Sequence, residues 1–243
     1  MSPADLPDTG DDIDLTLRHV SRQFPEDFAR AILPSGMAVT SATWLDTQAT
    51  ARQRRLDRVL DVVADGKRRL EHTEWQLEWQ GDLPLRLFEY HVLLALAVAS
   101  ETKAETPPPP IRSTLVLLSG REKPWPAKGE YRTSPARSPF TGVVFRIDAV
   151  YQRTVAELEA RKSPLWLMFA PLAVDADARA MRRIVATLRK NRTPREFEEL
   201  AVALTVMADA DRRRRGLRTA ILPLLKEELV MASWVYEQGM AAG

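Results

Sequence analysis

Two groups of side chains have types and spacings suited to metal-ion chemistry. Asp57 stands in a run rich in branched residues, Leu56-Asp57-Arg58-Val59-Leu60-Asp61-Val62-Val63, and Asp65-Gly66 follows it as a strong hairpin turn signal. Glu74-Trp75-Gln76 lies on the return run Arg69–Gln80. That run alternates as a strand, with His72, Glu74, Gln76, Glu78 and Gln80 on one face and Trp75, Leu77 and Trp79 on the other. A hairpin of these two runs brings Asp57, near a strand start, towards Glu74 on its partner. Two carboxylates on adjacent strands make an oxygen site suited to Mg²⁺ or Mn²⁺. Such an ion could polarise a phosphodiester and lower the pKa of an attacking water. A strand whose polar face is simply solvated shows the same pattern, and Arg58, Arg68 and Arg69 could offset the carboxylates.

Two registers compete with this site. Glu78-Trp79-Gln80 repeats the Glu74-Trp75-Gln76 pattern four residues on, and Asp61 shares a face with Asp57 on a regular strand. His72 shares the face of Glu74 and could orient substrate or act as an acid or base, or be a surface or supporting histidine. Trp75 and Trp79 could stack on bases, although packing against a helix explains two apolar rings at strand spacing. The sharpest basic run, Arg212-Arg213-Arg214-Arg215, could meet DNA phosphates or form a solvated linker after Asp209 and Asp211.

The elements that must position these groups come from a chain of 243 residues, 45% hydrophobic and 28% charged, the balance of a folded protein. There is no cysteine, which excludes disulfides, thiolate nucleophiles, Fe–S clusters and cysteine zinc sites. The three histidines, His19, His72 and His91, have no H-x-x-x-H spacing, which excludes a zincin. Arginine outnumbers lysine 28 to 7, yet the net charge is only +2. Composition therefore lifts nucleic-acid binding only slightly. The acidic start, Met1-Ser2-Pro3-Ala4-Asp5, does not read as a signal peptide, and Leu83–Ala99 carries Arg86, Glu89 and His91 and reads as a buried helix. The expected compartment is the cytoplasm, with no membrane partner.

Periodicity predicts a flexible tail over residues 1–13 and a helix over Leu15–Leu33 with a break at Pro25. An irregular strand over Met37–Leu45 precedes the hairpin. The helix Leu83–Ser100 follows it, then a polyproline loop over Thr106–Pro110 and an apolar strand over Ser113–Leu118. Residues 119–140 read as a long loop and Val143–Val150 as a strand. Helices are expected over Thr154–Arg161, Asp175–Lys190, Thr193–Met207 and Arg218–Gln238, the last with an apolar face suited to intrachain packing or a homodimer contact. This order gives an α/β core, residues 14–175, with a helical C-terminal region over 176–243.

Arg55-Leu56-Asp57, Thr73-Glu74-Trp75-Gln76 and Arg86 through Glu89-Tyr90 together resemble the PD-(D/E)XK nuclease superfamily, and within it the recombination-promoting nuclease and transposase-like group. Phe24-Pro25-Glu26-Asp27-Phe28 is similar to the group's opening helix. The Leu115–Leu118 strand and Ala170-Pro171-Leu172 fit its usual order. The resemblance implies a restriction-endonuclease-like core, a central mixed sheet flanked by helices, and a Mg²⁺- or Mn²⁺-dependent endonuclease acting on DNA. Asp57 and Glu74 would be metal ligands, and Gln76 would take the place where many members carry lysine. Glu26 is an accessory candidate, with Asp27 as its competitor. Arg86 would contact phosphate or brace the carboxylates. A neutral amide at position 76 can orient water but brings no charge to the reaction.

Overall fold

The structure, a computed structural model, describes residues 9–33, 36–44, 58–101, 108–213 and 215–225. In chain order the elements are α1 (Thr9–Gln23), α2 (Pro25–Ile32), β1 (Val39–Trp44), β2 (Arg58–Ala64), β3 (Lys67–Gln76), α3 (Leu83–Glu101), β4 (Ile111–Leu117), β5 (Lys128–Arg132), β6 (Gly142–Ala149), α4 (Val155–Glu159), α5 (Pro164–Leu167), α6 (Ala178–Asn191), α7 (Pro194–Asp209) and α8 (Leu217–Ile221). Among the described residues the chain is α/β with a six-stranded mixed sheet, and helices predominate from Val155 to Ile221. It divides into two units, one of Ile32–Val150 and one of Met1–Ala31 with Tyr151–Gly243.

The sheet lies in the first unit, in the order β1-β2-β3-β4-β6-β5. β1, β2 and β3 form an antiparallel meander, while β3, β4 and β6 run parallel. The β2–β3 turn holds Asp65 at φ 50° and Gly66 at φ 70°, the left-handed pair that a two-residue hairpin requires. Its register pairs Arg58 with Thr73 and Val59 with His72. β4, bonded on both sides, buries Ser113 through Leu117, as its apolar sequence predicts. α3 connects β3 to β4 and covers one face of the sheet. Tyr90, Leu94 and Val98 of α3 form a core with Val59 and Leu70, against which Ile111 packs.

Four expectations need correction. The return strand ends at Gln76, not Gln80, because the chain turns back there to start α3. The loop expected over 119–140 contains β5, an edge strand paired antiparallel with β6. Its sequence, Lys-Gly-Glu-Tyr-Arg, has no apolar alternation to announce it. α3 buries only one side: Leu85, Val92 and Leu96 are exposed opposite Leu83, Leu87 and Leu94. α1 begins at Thr9, earlier than the predicted start at Leu15. The break at Pro25 is present, since α2 starts there.

In the second unit, α1 packs on α7, and Trp166 lies between Phe28 and Phe169 at ring-centroid distances of 6.2 and 5.0 Å. α4 and α7 open with capping boxes, Thr154 with Glu157 and Thr193 with Glu196, and Pro194 sits at the first position of α7. The apolar residues expected to continue the last helix, Leu229, Val230, Trp234 and Val235, lie outside the described residues.

Candidate functional site

Glu74 is fully buried near the end of β3. Beyond it the β3–β4 pairing runs on, Leu118 N–H donating to Gln76 O and Ser119 N–H to Leu77 O, and Leu83 N–H then donates to Gln80 O as α3 begins. The short connection from Gln76 to Leu83 brings the first turn of α3 to the end of β3. Arg86 Nη2 there forms an ion pair with Glu74 Oε1, and its Nη1 donates to Gln80 Oε1 at 3.2 Å. Gln76 Nε2 donates to the same Glu74 oxygen at 2.9 Å. Burial works against the Arg86 charge, but Glu74 and Tyr90 outweigh it and raise the pKa of the guanidinium. Glu74, Gln76 and Arg86, three of the residues singled out in the sequence, therefore meet on one carboxylate oxygen.

Asp57 lies outside the described residues; β2 is described from Arg58, which pairs with Thr73. Glu26, in the first turn of α2, is exposed and pairs with Arg30 at 2.7 Å. Its competitor Asp27 pairs with Arg30 at 3.1 Å and with Arg192 at 2.9 Å. Asp61 accepts from Arg68, and Glu78 accepts from the Ser119 hydroxyl at 3.4 Å. Among the described residues no three His, Asp or Glu side chains cluster as a metal would require. The expected paired carboxylates need Asp57 beside Glu74.

His72 is not a surface group. It is buried, its ring stands edge-on to Tyr90 at 5.6 Å, and Nδ1 lies 3.3 Å from Ser113 Oγ. Burial, with His91 nearby, pushes its pKa down to about 3. Trp75 is a core residue, but Trp79 is only half-buried and stacks on Trp125 instead of packing in the core. In the basic run, Arg214 lies outside the described residues and Arg212 is exposed. Arg213 donates to the carbonyls of Leu172 and Tyr151, and Arg215 donates to Asp211 and to the carbonyls of Pro171, Ala173 and Ala176.

Sequence reasoning missed Glu71, on the opposite face of β3 from Glu74. It is 1% exposed, and neither carboxylate oxygen has a hydrogen-bond donor. Burial raises its pKa to about 7 against the opposing pull of Arg112, Arg69 and Arg146. Its position in the strand's apolar alternation, beside Trp75, was the available signal. No family model matches the chain, and neither does any curated protein or any solved structure.

Proposed function

We propose that the chain is a metal-dependent, DNA endonuclease-like protein with a restriction-endonuclease-like core, akin to the recombination-promoting nuclease and transposase-like group. The observation that carries this reading is the convergence of Gln76 and Arg86 on a fully buried Glu74, at the end of a strand whose neighbour follows directly on Asp57. A face that was merely solvated would expose Glu74. Asp57 and Glu74 would hold Mg²⁺ or Mn²⁺. Such an ion polarises the phosphodiester and acidifies an attacking water. Gln76 fixes the carboxylate through its amide N–H, and its amide oxygen can accept from a water to orient it. Arg86 pairs with Glu74 and brings positive charge to where phosphate oxygens gather.

A second reading is a catalytically inactive nuclease-fold module that binds nucleic acid or protein. The Arg86–Glu74 pair favours it, because the guanidinium already compensates the carboxylate, and position 76 lacks a lysine. Supercoiled plasmid nicking with Mg²⁺ and with Mn²⁺ separates the two. Nicking by wild type that is lost in Asp57→Ala and in Glu74→Gln supports the nuclease. Absence of nicking by folded wild type supports the binding module, and Gln76→Lys then tests whether the amide is the missing element.

A further inference from the structure

The Trp79–Trp125 pair has no role in the site chemistry, yet it borders the site. Trp79 follows β3, and its neighbour Gln80 accepts from Arg86, which holds Glu74. Trp125 comes from the segment between β4 and β5. The two rings stack at 4.8 Å with an interplanar angle of 28°. Arg121 packs on Trp125, its guanidinium carbon 3.7 Å from the centre of the ring. Two carbonyls hold that guanidinium in place: Nε donates to Lys123 O at 3.1 Å and Nη2 to Pro124 O at 3.0 Å. The base of the segment is tied down by Ser119, whose hydroxyl donates to Leu77 O at 2.9 Å.

A loop staple of two indoles would account for the ring pair alone. It leaves unexplained an exposed arginine set over the Trp125 ring and held by two carbonyls of the same segment. A guanidinium over an indole adds a cationic surface to the ring pair, and unpaired bases stack on guanidinium planes as they do on aromatic rings. The surrounding charge suits a polyanion. Arg121 and Lys123 are exposed in this segment and Lys128 opens β5, against the carboxylates of Glu122 and Glu130. A duplex keeps its bases stacked on one another, so the matching partner is an unpaired strand.

We propose that Arg121, Trp125 and Trp79 form a stacking platform for an unpaired nucleobase of single-stranded DNA, with Lys123 and Lys128 along its backbone, beside the Glu74 carboxylate. The proposal rests on the DNA reading above and specifies the form of DNA that the site region grips.

Fluorescence anisotropy of a labelled oligothymidylate and of a labelled duplex, in EDTA and with the full chain, tests binding apart from cleavage. Wild type is expected to prefer the single strand. Arg121→Ala and Trp125→Ala are each expected to weaken single-strand binding about tenfold, a change of ~1.4 kcal/mol, with duplex binding within twofold of wild type. Arg121→Lys keeps the charge but not the plane and should lose as much as Arg121→Ala, whereas Trp125→Phe should retain most of the affinity. Thermal melts show whether each variant is folded. Unchanged single-strand affinity in folded Arg121→Ala, or equal losses on single strand and duplex, overturns the platform. If plasmid nicking is nevertheless observed, the nuclease reading survives that failure. A wild type that binds neither DNA overturns the platform, and the nicking assay then decides the nuclease reading by itself.

Discussion

Arg86 reaches from the first turn of α3 onto the carboxylate of Glu74, and the pair is unevenly covered: the Glu74 side chain is fully buried and that of Arg86 is 19% exposed. Removing either partner alone strands the other charge away from water. Arg86→Ala is therefore expected to destabilise the fold by about 3–5 kcal/mol. The double variant Arg86→Met, Glu74→Met should cost less than Arg86→Ala alone, because it leaves no orphan charge. Urea melts of the singles and the double provide the cycle, and purely additive losses would sink the argument.

Glu71 and His72, adjacent on β3, give stability opposite dependences on pH. Glu71 carries a folded pKa of about 7 against an ordinary 4.5, so between those values the folded state holds a proton the unfolded state has lost. Stability falls as pH rises through that window. His72, at about 3 when folded against an ordinary 6.5, makes stability rise over pH 3 to 6.5. The two slopes oppose each other between about pH 4.5 and 6.5, where these groups give a plateau. Glu71→Gln should gain on wild type by roughly 3 kcal/mol between pH 4 and pH 8. Chemical denaturation at the two pH values measures this, and a constant gap between variant and wild type would refute it.

The β5–β6 edge depends on two glycines of different kinds. A Cβ on Gly142, at φ 137°, would run into the backbone carbonyl oxygen of Tyr131. A Cβ on Gly129 would lie 2.5 Å from the buried ring of Phe145. Gly129→Ala is expected to cost ~1–3 kcal/mol, the range for overpacking a core. Gly142→Ala should cost more, since both strain and a backbone clash oppose it. Thermal melts give the order, and the reverse order would contradict this account.

The basic run splits into residues with separate work. Arg215 joins Asp211 to three carbonyls between Pro171 and Ala176, and lysine cannot reproduce that fork. Arg215→Lys should destabilise by about 2 kcal/mol, whereas Arg212→Lys should stay within ~0.5 kcal/mol. Equal effects in melts of the two variants would show that the clamp adds nothing.

The parts of the fold legible in sequence were those with local causes. Asp65-Gly66 announces its hairpin because few residues accept positive φ, and Thr193-Pro194-Arg195-Glu196 announces its cap because both halves of the box are local. The end of β3 was not legible: Leu77 and Trp79 continue the alternation, but the fold turns the chain after Gln76. β5 was hidden because its backbone pairing with β6 defines it, not its side chains. The resemblance offered Arg86 as a phosphate contact or a brace on the carboxylates, but the Gln76 bond to Glu74 was not anticipated, because it depends on the side-chain conformation of two residues on one strand face. Glu71 escaped because a carboxylate near a strand start is ordinarily solvated, although its place on the face of Trp75 marked it for burial. The Arg213 and Arg215 clamps depend on carbonyls about 40 residues earlier or more, which no local pattern encodes.

The unit that holds α1 and α7 is assembled from both ends of the chain, with all six strands threaded between its halves. A ribosome releases α1 early and α7 only after some 170 further residues. At about 5–20 residues per second that delay is on the order of 10–30 s. During it the buried positions of α1, among them Ile13, Leu17 and Val20, lack their final partner. The sheet's segments are all synthesised within that interval, so vectorial synthesis favours closing the inserted unit first. Nascent chains stalled far enough past Val150 for β6 to clear the exit tunnel, but before α7 emerges, should then protect Leu115 and Leu117 from proteolysis while α1 stays cleavable.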